Sequence, residues 1–480
     1  MATLSASLAR RPRLSRGGWL LAAWAAASLA LTLLAWLRHW WFSSTAWDAG
    51  LYLNELWELS HGGWQSGFAG FHVFADHFSP LIVLLSPLAR LPGTYELLEL
   101  AEAAALMAGM FPAYKLAQRQ GKGWMGAVWY GLAATLWHAS LFDVRPMLFG
   151  IPVLMWMLWR ASSTPADVGA LLLGELALVG LREDLAVLGA VVVLMAFMRS
   201  RDRRLLAITG MGLAVPIAYV GFGADLFGSG YLFWDRYHSL GVALGQGPLA
   251  LIRLAAERWL DRSAWVVYIV VLGPMLFLPL RGWRLAWPGL ALILANLMAD
   301  IIPMRMYAFQ YQALALPFLI AGSLQALPRN PQLAPATLAA SILLFLVAGP
   351  LGPNPFETRH PFTFIQAIAR PHRSALSEVV EQVPPEVSVS ASEHLVPHLA
   401  KREQIYRFPI PLVCASAGFP GLEATSTPEV VALSTLDSLP PETESLLEEA
   451  GYHRSWSGQA GEIWLQSTAA APSVSCRPRG

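Results

Sequence analysis

The chain has 480 residues, 55% of them hydrophobic and only 14% charged, where a soluble domain carries about 25% charged residues; its mean hydropathy is +0.47. The net charge of +1 hides an asymmetry: residues 1–354 carry 24 basic and 18 acidic side chains, residues 355–480 carry 9 and 14. Two cysteines, Cys414 and Cys476, exclude a disulfide scaffold, an iron–sulfur protein and a Cys-rich zinc site, and there is no P-loop, dinucleotide fingerprint or nucleic-acid footprint.

The first element follows Arg10, Arg11, Arg13 and Arg16 and runs apolar from about Trp19 to Trp41. It is longer than the ~7–15 apolar residues of a signal peptide, so we read an uncleaved first span, directed from inside to outside. A first outer loop covers about 42–93. Within it, 79–91 (SPLIVLLSPLARL) is too short to cross and reads as an interfacial or re-entrant helix. Further spans are expected near 94–118, 123–141, 147–161, 166–181, 185–199, 204–222, 263–281, 285–300, 306–326 and 333–350, eleven in all. Lys115, Arg119, Lys122, Arg160, the Arg199–Arg204 cluster, Arg281, Arg284 and Arg329 then fall in inner loops, as the positive-inside rule requires. An odd count places the tail outside.

A Pro- and Gly-rich linker at 348–356 leads to a small α/β domain over 355–470. Helical spacing covers 372–382. EVSVSAS (386–392) alternates like a half-buried strand, EVVALST is a further strand candidate, and YHRSWS and EIWLQS flank a hairpin turn. Residues 471–480 read as a disordered tail, and Cys476 within it as dispensable for stability. The fold class is therefore mainly α: a polytopic membrane bundle with a small C-terminal α/β domain.

Five polar clusters fall at the outer ends of spans. They are Asp48 with Glu55 and His61; Asp76 and His77; Asp143 and Arg145; Arg182, Glu183 and Asp184; and Asp235, Arg236, Tyr237 and His238. Ionisable groups at membrane depth are functional candidates by default. Each also has a plainer reading. Asp48 would cap a helix over 49–60, the Asp76–His77 pair would start the next helix, Asp143 and Arg145 would form an interfacial ion pair, and the 235–238 group would be a solvated face. Arg182-Glu183-Asp184, inside an apolar run, is hardest to explain that way.

WDAGLYLNELWELSHG, FADHFSPLIVLLSPLARL, FDVRP, LREDLA and QYQALALPFLIAG, with the tail segment HRSALSEVVEQVPPEVSVSASEHLVPHLAKREQIYRFP, resemble the bacterial membrane family called domain of unknown function 2079. The likeness covers roughly 45–410. Arg145 stands where that family usually has His, as does Gln310 before Tyr311, so no histidine role is carried over to these positions. The family is in turn similar in architecture to the GT-C glycosyltransferases, polytopic enzymes that use polyprenyl-phosphate sugars, with acidic residues in the first and next outer loops. Asp48 and Asp143 correspond to these by position.

The resemblance implies an inner-membrane transferase that moves a sugar from a lipid-linked phosphate donor to an envelope acceptor at the outer face. Its catalytic candidates are Asp48 and Asp143. The candidate substrate-binding residues are Arg145, Arg182, Glu183, Asp184, Arg236 and Tyr311. No motif demands a cofactor; a divalent metal held by Asp76, His77 and a carboxylate from another loop is the one candidate. Helix 79–91 would border a groove for the lipid, and the tail would cover the site or select the acceptor. Membrane lipids are the other expected partners. The alternatives are a transporter or flippase for a lipid or small anion, and a non-catalytic membrane assembly protein.

Overall fold

The structure, a computed structural model, describes residues 17–227, 234–327, 333–355, 373–412, 427–435, 437, 439 and 441–467. Cys414, Cys476 and the tail expected to be disordered lie outside these residues. Ten helices organise the first half: α1 (Gly18–Trp40), α2 (Leu51–Ser60), α3 (Thr94–Ala108), α4 (Met110–Gln118), α5 (Gly123–Gly131), α6 (Ala134–Leu141), α7 (Pro146–Ala161), α8 (Val168–Leu181), α9 (Glu183–Ser200) and α10 (Arg204–Ala218). Leu106, Met107, Trp129, Tyr130, Leu136 and Phe318 are fully buried among them.

Among the described residues, three helical stretches are long and apolar enough to cross a membrane: Gly18–Trp40, Thr94–Gln118 and Arg204–Gly223. The other expected spans are shorter or interrupted or, in Glu183–Ser200, carry more charge. The stretch 123–141 breaks at Leu132–Ala133, and 263–281 breaks where a 3-10 turn, Gly273–Met275, carries Pro274. Non-helical backbone at such depth is tolerated when protein rather than lipid surrounds it. The expected short helix in the first loop is present as the 3-10 helix Pro80–Arg90.

The C-terminal part forms one five-stranded sheet from β1 (Val389–Ala391), β2 (Ile405–Arg407), β3 (Val430–Ser434), β4 (Tyr452–Ser457) and β5 (Gly461–Gln466), in the order β2-β1-β3-β5-β4. β1 is parallel to both neighbours, whereas β5 is antiparallel to β3 and β4. The half-buried alternation expected at 386–392 is overturned: all three β1 residues are buried. A central parallel strand is covered on both faces, and Ser390 is accommodated by donating its hydroxyl to the Ile410 carbonyl at 2.6 Å. The helix expected near 372–382 is Arg373–Glu381.

The sheet domain shares a hydrophobic core with the segment between α1 and α3: Phe42, Ala46, Leu51, Phe68 and Phe71 pack with Leu376, Val389, Leu395 and Ile405. Asn54 is the polar clasp. Its amide donates to the carbonyls of Ala400 (3.1 Å) and Arg402 (2.9 Å), while its oxygen accepts from Ser66 Oγ and Phe68 N, both at 3.0 Å. Two glycines permit the approach. A Cβ at Gly50 would come within 2.6 Å of Val396 Cγ1, and one at Gly67 within 1.8 Å of the Glu403 carbonyl oxygen.

Candidate functional site

The segment joining α1 to α2 carries Thr45 and Asp48, the segment joining α6 to α7 carries Asp143 and Arg145, and the two are laced together. Asp143 is fully buried and all its acceptor capacity is directed inward. Oδ1 accepts from Arg38 Nη1 (2.5 Å) and Tyr95 OH (3.1 Å), and Oδ2 from Thr45 N (3.0 Å) and Thr45 Oγ1 (2.8 Å). Its φ of 140° is a conformation L-residues rarely adopt and persists only where the surroundings over-determine it. Although Asp143 lies at the end of an expected span, it is not exposed there. It is a junction between α1, the first loop and α3.

Asp48 differs. It lies in a π-helical turn, Ala46–Gly50, ahead of α2 and makes no capping bond, so the capping reading falls. Its carboxylate instead pairs with Arg145, at 2.9 Å to Nε and 2.8 Å to Nη2, and its side chain stays 25% exposed against 3% for Arg145. Asp143 and Arg145 therefore do not pair with each other; each is held by another partner. Arg145 is further fixed by its backbone N–H, which donates to Glu102 Oε2 at 2.8 Å, and by the Phe142 ring 4.3 Å beneath its guanidinium. Its Nη1 is buried with no hydrogen-bond partner among the described residues.

From Arg145 the cluster continues. Arg145 feels the Tyr311 hydroxyl electrostatically, and that hydroxyl accepts from Arg236 Nη1 at 3.0 Å. Tyr237 beside it senses both Tyr311 and Asp184. Arg182 grips Asp184 through two bonds, Nε to Oδ1 at 2.6 Å and Nη2 to Oδ2. Tyr52 of α2 lies within electrostatic range of Asp76, Arg182 and Asp48. Burial, with Asp76 and Glu55 adding to it, holds the Tyr52 phenol well above its usual range. Asp235, by contrast, is exposed, as the solvated reading of its loop expects.

His77 Nδ1 lies 2.8 Å from Glu183 Oε1, while its Nε2 is 4.0 Å from Asp76 Oδ2. Glu183 Oε2 accepts from the Phe78 backbone N–H at 2.9 Å. Asp76 and His77 thus gain one carboxylate neighbour, and that carboxylate is already bonded. Among the described residues there is no group of three or more His, Cys, Asp or Glu side chains arranged to hold a metal ion. Asp76, His77 and Glu183 do not form such a group.

Several polar residues escaped the sequence reading. Glu99 and Glu102 are fully buried in α3, next to Asp143 and Arg145. Their i, i+3 spacing in an apolar span was the available signal, because it places both on one face. The tail is the other surprise. Glu393 accepts from the Ala46 N–H at 2.9 Å and pairs with Arg407, and His394 Nδ1 lies 3.2 Å from the Ser44 carbonyl. His398 stacks on His39 with centroids 4.2 Å apart. The tail therefore holds the segment that positions both aspartates.

A multi-helix bundle with a polar cluster at one end and a small sheet domain packed over the adjoining loop defines a class of membrane protein, and known proteins share it. The chain belongs to the family described as predicted membrane protein DUF2079, whose model matches residues 38–459. No curated protein sequence matches it. Its fold is that of ArnT from Cupriavidus metallidurans bound to undecaprenyl phosphate, at TM-score 0.55 and 13% identity over 97% of this chain and 100% of that one. The apo form of the same protein superposes at TM-score 0.46 with 12% identity, over 96% and 99% of the two chains. The helical membrane bundle with a small C-terminal α/β domain expected from the sequence is the architecture observed.

Proposed function

We propose that the protein is a membrane glycosyltransferase that moves a sugar from a polyprenyl-phosphate donor to an acceptor hydroxyl of the cell envelope, on the outer face. The observation that carries this reading is the Asp48–Arg145 pair: a partly exposed carboxylate against a buried guanidinium with an unused donor, beside Tyr311 and Arg236. The acceptor oxygen attacks the anomeric carbon and its proton passes to Asp48. The bond from that carbon to the phosphate oxygen breaks, and the charge left on the lipid phosphate is stabilised by Arg145 and Arg236. Arg182, committed to Asp184, orients the edge of the site with Glu183 and His77. Asp143 acts as a positioning residue, since it holds Thr45 three residues before Asp48. A fold shared with a protein bound to undecaprenyl phosphate supports the donor class.

The test is incubation of purified protein with radiolabelled polyprenyl-phosphate sugars and an envelope acceptor extract. Transfer that Asp48→Asn reduces is the expected result; no transfer from any donor overturns the reading. One observation favours a second reading, transport of a lipid or small anion. Glu175, midway along α8, is fully buried with both oxygens lacking partners among the described residues. Substrate flux across proteoliposomes, lost in Glu175→Gln, would select that reading instead.

A further inference from the structure

The bundle has a second chemical end. α7 and α9 both begin at the polar cluster and run 16 and 18 residues away from it, roughly 25 Å at 1.5 Å per residue. Where they finish, a cavity of about 730 Å³ lies between their last turns, the end of α4 and the helices Trp283–Leu297 and Leu316–Ala326. That volume is typical of small-ligand sites, which span ~300–1,000 Å³. Among the described residues, Arg119, Arg199 and Arg284 line the cavity and no Asp or Glu does, and most of the remaining wall is apolar, including Val192, Met195 and Leu285.

Two of these arginines are held in place by neutral groups. Arg119 donates to Ser162 Oγ and, at 3.1 Å, to Ser163 Oγ; Arg199 donates to the Ala161 carbonyl and, at 2.9 Å, to the Ser163 carbonyl. The turn between α7 and α8 thus positions both guanidiniums without cancelling either charge, and the two repel one another. Arg284 is exposed at the rim. Three cations with no acidic partner among the described residues, set around an apolar recess, match an anion whose remainder is apolar.

We infer that this cavity binds the headgroup of an anionic phospholipid, with the phosphate among Arg119, Arg199 and Arg284 and the first methylenes against Val192, Met195 and Leu285. The acyl chains leave past Met198, which is 51% exposed, into the bilayer. A soluble phosphate would leave the apolar wall uncovered, and a neutral lipid would leave the arginines unpaired. Basic side chains near an anionic leaflet attract it by about 5-fold in affinity each. The site is separate from the polar cluster and independent of any transfer reaction there.

The test uses full-length protein purified in a neutral detergent and titrated, under native mass spectrometry, with dioleoyl phosphatidylglycerol or dioleoyl phosphatidylcholine. Phosphatidylglycerol should saturate one site that phosphatidylcholine does not fill. The triple variant Arg119→Gln/Arg199→Gln/Arg284→Gln should weaken it about 10²-fold, at roughly 5-fold per arginine. Arg201→Gln/Arg203→Gln/Arg204→Gln removes the same charge outside the cavity and should leave binding unchanged. Equal binding of both lipids, or equal loss in the two triple variants, overturns the site. Displacement of the lipid by equimolar inorganic phosphate overturns its assignment to a lipid. Should the triple variant fail to fold, Arg284→Glu at its exposed position gives the same reading, with at least a 5-fold loss expected and no loss refuting it.

Discussion

The two ends of α7 handle charge in opposite ways. At its start, Arg145 is buried against Asp48, and the neighbouring Asp143 is buried against Arg38; cations and anions are matched within the protein. At its finish Arg160 pairs with Asp167, but the adjoining Arg119 and Arg199 are held, among the described residues, by hydroxyls and carbonyls. A matched network resists the loss of any one member, because the partner left behind is a buried uncompensated charge. An unmatched cluster at a surface costs the fold little and leaves its charges available to a ligand. The difference separates an end built for internal positioning from one built to meet something outside.

The sharpest way to break the comparison is at Asp143. Asp143→Ala strands Arg38 in the interior and should cost about 3–5 kcal/mol, seen as a large drop in thermal midpoint in detergent. If the midpoint does not move, Asp143 is not the junction described. Asp48→Asn tests the same end at its exposed member. Asn keeps an oxygen that can still accept from Arg145 but removes the counter-charge of that buried guanidinium. The thermal midpoint should therefore fall less than in Asp143→Ala while sugar transfer falls about 10²-fold; a midpoint loss as large as that of Asp143→Ala with transfer retained would make Asp48 a structural residue.

A smaller effect is expected at the contact between α2 and the tail. Burial first, and then repulsion from Glu403, push the Glu58 carboxyl up to about 7. A raised acid binds its proton more tightly when folded, so its contribution is complete below about pH 4.5 and is lost as pH rises towards 7. Protection of α2 from hydrogen exchange should therefore be greater at pH 5.5 than at pH 8, and Glu58→Gln should flatten that dependence. The smallest effect belongs to the other end of α7. Arg284→Glu should change unfolding stability by no more than about 0.5 kcal/mol, and a larger loss would mean that the arginine end is also part of the internal network.

The legible part of this molecule was its composition and its charge clusters. LREDLA and FDVRP stand out because charges in apolar runs demand partners, and the short 79–91 helix was evident from its length. Pairings were not legible. Asp143 and Arg145, two residues apart, invite a local pair, yet the positive φ at Asp143 turns the two side chains to Arg38 and to Asp48, each about a hundred positions away. The interruptions within the spans also escaped, because an apolar stretch reads as continuous whether or not Gly273-Pro274 breaks it. The tail's grip on Ser44–Ala46 depends on contacts across some 350 positions, for which no local pattern exists.

The Asn54 clasp also sets a timetable. Its two carbonyl partners lie 346 and 348 positions further along the chain, and a ribosome adding about 5–20 residues per second needs roughly 20–70 s to reach them. For that interval the first loop has been made but lacks the core that Leu376, Val389 and Ile405 will supply. A nascent chain stalled before residue 373 would keep Phe42, Phe68 and Phe71 without their cover. The first loop to be synthesised is therefore finished late, when the C-terminal strands arrive to complete the site's framework.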